Sequence, residues 1–405
     1  MTDSMPYHGL ARLMTRTYHG EDLTELGQAL IQRSIQPGTG AAEALLDLAV
    51  LLHLKGFHEM ACEVQMQGLR QQQSFVLPAQ QPTAIRLLAL MVPGELNANT
   101  PLEFLVDHSD IELQQLFIGK ELPFPAEIPE HDVAFVAVGE SEASLPLLAA
   151  LAQALKHWPR PVLNHPARIA ALARDVLFRQ LAQVEGLVLP PTGRASREEL
   201  LAWSEGVPLK EFPDWHLTYP LIVRPVDSHA GKGLSRVNAV GEWATYLETR
   251  QEEWFFVSPF VDYSSADGSY RKYRIALVGG VPFAGHMAIS DHWMVHYLNG
   301  GMTESVAKRA EEADFMAHFD TGFASRQGSV LADLSHRLGL DYVVLDCAEM
   351  RDGRLLVFEA DSSAVIHAMD PIEQFPYKHP AMQRVFSAFR RLLEQARQRP
   401  AGLVS

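Results

Sequence analysis

Several residue patterns that mark large protein classes are scarce or absent in this sequence. Among 405 residues there are two cysteines, Cys62 and Cys347. They lie far apart in apolar surroundings, which excludes a disulfide framework and a cysteine-based metal site, so a reducing cytoplasm is the expected compartment. Positive charge is in deficit: 34 Lys and Arg stand against 49 Asp and Glu, for a formal net charge of −15. That balance argues against nucleic acid or an anionic membrane as a general partner, while leaving room for a local basic cleft. No apolar run reaches the ~18 residues of a spanning helix. The opening MTDSMPYHGLARLM has no signal-peptide core. The region 80–190 carries no G-x-G-x-x-G, so a dinucleotide fingerprint is missing.

What is present is an ordinary globular composition, 47% apolar and 20% charged, in a chain longer than one hydrophobic core usually serves. Residues 1–79 read as helical. Two helices meet at Lys55-Gly56, with Ala49, Ala61 and Gly68 at spacings similar to those of a tetratricopeptide-type pair. The plainer reading is a helical cap packed on the next domain; the sharper one is a docking surface for a peptide or protein. Residues 80–190 alternate short apolar runs with a helical stretch, the β–α–β pattern of a small α/β domain. Segments 191–263 and 264–405 follow as two further α/β units. The fold class expected is α/β (α+β).

Two constellations carry chemistry. The first is the C-terminal run DYVVLDCAEMRDGRLLVFEADSS. Asp352-Gly353 signals a two-residue hairpin turn, which pairs Arg351 with Arg354 and, counting outward, Asp346 with Glu359. Asp361, two residues beyond Glu359, shares that face. Three carboxylates so placed call for compensation, and a divalent cation with oxygen ligands is an economical one. A slipped register that scatters the acids over a solvated face is the alternative. The second is the loop from Arg224 through Ser228, His229, Gly231, Lys232 and Gly233. Small residues there let backbone N–H groups approach an anion, while Arg224 and Lys232 add charge. It is not a Walker A loop, because Lys232 is followed by Gly233. Taken alone, the loop reads as a plain turn. Together the two constellations suit a nucleoside triphosphate, whose charge must be neutralised from both sides.

From about residue 80 onward the chain resembles the ATP-grasp family. It is broadly similar to carboxylate–amine ligases and to the glutamate ligases that modify ribosomal proteins. The resemblance rests on NHPARIAALARD, YPLIVRP with SHAGKGL, WFFVSPFVDY, and VVLDC with VFEADSS, in that order. It implies ATP and Mg²⁺ (or Mn²⁺) as cofactors, with the metal on Asp346, Glu359 and Asp361. It puts Arg224, His229, Gly231, Lys232 and Gly233 at the phosphates, and Val257, Ser258, Phe260 and Val261 around adenine. Asp262 falls at the ribose and Arg274 at the transferred phosphate. Several positions depart from the family, among them Arg224 where a lysine is usual and Asp361 where asparagine is usual. Val176 stands where a lysine is common, so Arg174 or Arg179 is the expected substitute, and Ser258-Pro259 replaces acidic hinge residues.

The segment 286–299 gathers polar and aromatic groups after the central hairpin and is the expected acceptor wall. Either His286 or His292 is placed there to take a proton from an amine, and Trp293 to stack on a substrate. The implied reaction joins a carboxylate to an amine through an acyl phosphate, releasing ADP and phosphate. The substrates are small molecules or peptides. A phosphotransferase on the same fold, and a nucleotide-binding module that docks a partner through the helical cap, are the rival readings.

Overall fold

The computed structural model describes residues 7–36, 40–229 and 231–399. The N-terminal region forms α1 (Gly9–Tyr18), α2 (Thr24–Ser34), α3 (Ala41–Leu54) and α4 (His58–Gln71). Gly56 turns the chain between α3 and α4 with φ 84°, a left-handed conformation that glycine adopts without penalty. Gly68 lets the two helices touch: a Cβ there would lie 3.0 Å from Leu45 Cβ and 2.8 Å from Leu46 Cδ1. Ala42, Leu46 and Leu69 then pack on Phe75 and Phe117 of the next domain. The pair is thus a cap on its neighbour.

The first turn of α1 is held by carboxylates from elsewhere. Asp47 accepts from the N–H groups of His8 and Gly9, both at 2.9 Å. Glu103 accepts from Ala11 N–H at 2.8 Å and from Gln115. Negative charge at a helix N-terminus is favourable, but both acids are buried.

Five strands form the first sheet: β1 (Ser74–Leu77), β2 (Ile85–Met91), β3 (Ile111–Phe117), β4 (Val133–Val136) and β5 (Val162–Leu163). Their order is β1-β3-β2-β4-β5, parallel except for β1. Buried parallel strands read as continuous apolar runs, as IRLLALM and VAFV do. Strand β1 lies inside the stretch expected to be helical; its partner β3, not its own composition, makes it a strand. Beyond β5, Asn164 acts as a piece of backbone. It donates to Tyr342 O at 2.8 Å and accepts from Tyr342 N–H at 2.9 Å, fully buried.

The second half of the chain holds two further sheets, of four and five strands. One comprises β7 (Gly193–Ser196), β10 (Leu221–Pro225), β11 (Ser235–Val237) and β12 (Trp254–Pro259), antiparallel in the order β11-β10-β12-β7. A small hairpin, β8 (Glu211–Phe212) and β9 (Trp215–His216), lies between β7 and β10 in the chain. The other sheet comprises β13 (Tyr270–Val278), β14 (Val281–Ser290), β15 (Tyr342–Glu349) and β16 (Leu355–Asp361). Its order is β14-β13-β15-β16-β6, where β6 (Leu187–Val188) adds in parallel to the free edge of β16. The helix Lys378–Arg397 buries Val385, Phe389 and Leu392 against residues of both this sheet and the first, so one core joins them.

Two outcomes follow. Burial, opposed by the His8 and Gly9 N–H groups, pushes the Asp47 carboxyl up to about 7. The unfolded chain therefore ionises first, near the usual pKa of about 3.9, and this group's contribution is fully present below that value. It is lost as pH rises from about 4 to 7 and is constant above. Thermal unfolding across that range should show wild type losing stability relative to Asp47→Asn. Separately, Asn164→Ala leaves both Tyr342 backbone groups unpaired and should cost roughly 2–4 kcal/mol in denaturant unfolding.

Candidate functional site

The second and third sheets face each other across a cleft of about 640 Å³, within the range of small-molecule sites. The third-sheet side is shaped by an irregular hairpin. Met350 N–H donates to Arg354 O at 2.8 Å and Gly353 N–H to Met350 O at 2.9 Å. The loop thus has three residues, Arg351 to Gly353, with Gly353 at φ 85°. This corrects the expected two-residue turn and its Arg351–Arg354 pair. The strand nearest the turn pairs one residue out of the expected register, Cys347 with Val357. A bulge at Phe358 restores it, and Asp346 does pair with Glu359. The bulge also switches side-chain parity. Val357 and Ala360 point into the core, whereas Leu356, Phe358, Glu359 and Asp361 all line the cleft. Bulges beside active sites re-aim side chains in this way.

The carboxylates converge, but not as a three-ligand cage. Asp346 is 2% exposed and has both oxygens occupied. Arg274 donates to Oδ1 at 2.8 Å and to Oδ2 at 3.1 Å, and Lys272 Nζ lies 2.7 Å from Oδ2. Burial works to raise the Asp346 carboxyl, but Arg274 and Lys272 hold it well below the usual range. Glu359 is ion-paired with Arg174 and has Arg224 Nη1 at 3.8 Å; against burial, these cations lower it to about 2. Asp361 accepts Ser363 N–H at 2.6 Å, and burial together with Glu359 raises it. Among the described residues no group of three or more His, Cys, Asp or Glu is arranged to hold a metal. Glu359 and Asp361, two residues apart on the cleft wall, offer oxygens that suit a hard divalent cation; Asp346, with three of its about four lone-pair sites taken by Arg274 and Lys272, suits one less.

On the opposite wall, Arg224 projects from β10. It donates through Nε to Ser228 Oγ at 3.0 Å and through Nη2 to Ser228 O. Burial and the neighbouring Arg174 lower it to about 9, so it remains a cation at neutral pH. Arg174 starts the helix Arg174–Leu181 and donates to Phe358 O at 2.9 Å. It lines the cleft, whereas Arg179 turns back to Asp175 at 3.4 Å. His229 and Gly231 also line the cleft. Lys232 is exposed and outside the lining, and Gly233 packs on Pro225.

At the far end the lining is apolar and aromatic. Ser258, Phe260 and Val261 face it, with Tyr263 and Trp293. Val257 does not: strand alternation turns it into the core of the second sheet and brings Phe256 to the cleft instead. Asp262 is exposed and spends its carboxylate on Ser264 N–H at 2.9 Å. Of the expected histidines, His286 packs on Tyr297 with ring centroids 4.7 Å apart. Burial and Arg274 drive its imidazole well below the usual pKa. His292 is exposed, and its Nδ1 accepts Met294 N–H. Neither lines the cleft; His296 does. Burial, then Lys272 and Arg274, lower the His296 pKa.

Sequence reasoning passed over Lys272, Phe256, His296 and Glu140. Lys272 had a legible signal, since it lies two residues from Arg274 on one strand and so shares its face. Glu140 lies just past the C-terminal end of β4, where parallel sheets bind ligands. Burial and Asp227 push its carboxyl up to about 7. It borders a small recess with His229, Glu359 and Asp361.

Arg174 and Arg224 flank Glu359 in a half-buried place, so an anion bound beside them should stabilise the fold. Inorganic tripolyphosphate is expected to raise the melting temperature of wild type, and to raise that of Arg224→Gln clearly less. Equal gains would take Arg224 out of the anion site.

No family model matches the chain, and no curated protein matches it. Among solved structures it is similar to a RimK-domain ATP-grasp protein from Sphaerobacter thermophilus, with 17% identity and a TM-score of 0.43 over 76% of this chain and 99% of that one. It is also similar to the VanG D-Ala:D-Ser ligase from Enterococcus faecalis, with 11% identity and a TM-score of 0.46 over 77% of this chain and 100% of that one. These are similarities of overall fold at low identity, and residue roles rest on the cleft's own geometry.

Proposed function

We propose that the cleft binds ATP and that the protein is an ADP-forming ligase joining a carboxylate to an amine. The observation that carries this reading is the meeting of Arg174, Arg224, Lys272 and Arg274 with Glu359 and Asp361 in one cleft, next to an apolar aromatic end. The cations suit a chain of phosphates, and the apolar end suits a purine. Segment 191–263 then acts as the lid over the nucleotide and 264–405 as its floor. Segment 80–190 contributes Glu140, and 1–79 is a cap.

In this reading Arg174 and Arg224 hold the inner phosphates. Glu359 and Asp361 would hold a Mg²⁺ or Mn²⁺ ion, which when bound withdraws charge from the phosphate oxygens. Lys272 and Arg274 face the transferred phosphoryl. A substrate carboxylate oxygen attacks the terminal phosphorus, the bond to ADP breaks, and an acyl phosphate forms. The amine then attacks the acyl carbon, gives up a proton, and phosphate leaves. His296, whose pKa is lowered by burial, Lys272 and Arg274, takes that proton in place of His286 or His292. Arg274 balances charge on the tetrahedral adduct.

Arg174 reaching the cleft supplies the cation that Val176 does not, which favours a working nucleotide site over a vestigial one. Calorimetry of ATP with and without Mg²⁺ tests the proposal. Wild type should bind in a Mg²⁺-dependent way, and Glu359→Gln should weaken that binding. Absence of binding in wild type would sink the proposal. Product analysis separates an amide from the phosphorylated metabolite that a kinase would leave.

A further inference from the structure

The position of Asp346 does not match the part expected of it. In strand register it stands directly opposite Arg274. Lys272 lies two residues before Arg274 on β13, so both side chains leave the strand on the cleft side. Their charged ends meet on the one carboxylate: Arg274 as a two-point fork and Lys272 at 2.7 Å. Arg274 is fixed again by Val365 O, 3.2 Å from Nη1. A carboxylate offers about four lone-pair sites, and three are taken here. A divalent cation bonded to Asp346 would need oxygen contacts at about 2.0–2.1 Å, within a few ångströms of two fixed cations. The charge count points the same way. Two cations against one carboxylate leave one positive charge at this end of the cleft, with Lys272 keeping donors to spare.

We infer that Asp346 is a positioning residue that holds Lys272 and Arg274 as a paired cation clamp. The clamp, rather than a metal shell on Asp346, receives the anionic group at that end of the cleft. The group it suits is the terminal phosphoryl of a nucleoside triphosphate, which a diphosphate lacks. Metal binding is left to Glu359 and Asp361. The inference rests on the ATP reading above and deepens it, giving Asp346 the part of holding the two cations that face the nucleotide.

The test is Mn²⁺ binding, read by electron paramagnetic resonance in the presence of a non-hydrolysable ATP analogue. It is paired with calorimetric affinities for that analogue and for ADP. Wild type, Asp346→Asn, Lys272→Met and Glu359→Gln are compared. Asp346→Asn should leave the Mn²⁺ dissociation constant within about threefold of wild type, while Glu359→Gln should raise it about tenfold or more, the scale expected for losing one charged contact. Asp346→Asn and Lys272→Met should each lose about tenfold of the preference for the triphosphate analogue over ADP, the same scale of loss. A merely structural role for Asp346 would weaken both nucleotides alike.

If Asp346→Asn raises the Mn²⁺ dissociation constant as Glu359→Gln does, the assignment is overturned while the ATP site stands. Should Asp346→Asn fail to fold, Lys272→Met decides: an unchanged triphosphate preference overturns the clamp, and a lost one supports it. Failure of wild type to bind the analogue overturns the function proposed above, and the clamp with it.

Discussion

Mutual neutralisation in the cleft is the constraint on which the rest of the structure turns. Four cations, Arg174, Arg224, Lys272 and Arg274, share a partly buried space with three carboxylates, Asp346, Glu359 and Asp361. Buried charge without a partner is too costly to keep. Here each acid except Asp361 is matched to specific cations, and one positive charge is left over. In a chain whose net charge is −15, that local excess is what the proposed anion site rests on.

Five of those groups, Lys272, Arg274, Asp346, Glu359 and Asp361, stand on the third sheet, which is anchored by apolar cores it shares with the first. The first sheet and the third share a core through the helix Lys378–Arg397. Asn164 stitches the end of β5 to the start of β15 by reproducing backbone hydrogen bonds. The strand that carries Asp346 is thereby tied to the parallel sheet that carries Glu140. A second buried network lies behind the segment 286–299. Tyr297 and Tyr377 both donate to Glu312, at 2.9 and 2.7 Å, and Lys378 lies 3.9 Å over the Tyr297 ring. It braces the wall that presents His296 and Trp293 to the cleft.

The irregular positions of the fold are where its chemistry is set. The bulge at Phe358 brings an aromatic ring and a carboxylate from adjacent residues to the same side, which a regular strand cannot do. On the neighbouring pair, the register shift after Arg274 leaves Gly285 as the extra residue. A Cβ at Gly285 would lie 2.9 Å from Arg274 O, so glycine is required there for β14 to approach β13. Both devices sit beside Arg274, Asp346 and Glu359.

Local pattern in the sequence determined a good deal. Apolar runs marked β2, β3, β4 and β5, because this signal depends on near neighbours only. The convergence of Asp346, Glu359 and Asp361 was also legible, though by two errors that cancelled: the loop is one residue longer than a two-residue turn, and the bulge returns the register. Tertiary structure alone decided the rest. Strands β1 and β6 exist because β3 and β16 offer free edges. Val257 faces the core and Phe256 the cleft because of which face of β12 the opposite sheet covers. His296, not His286 or His292, reaches the site because the path of the loop after β14 sets it there. Whether Asp346 meets a metal or two cations depends on Lys272 and Arg274, brought to it by strand pairing across more than 70 positions of chain, a distance over which no local pattern carries information.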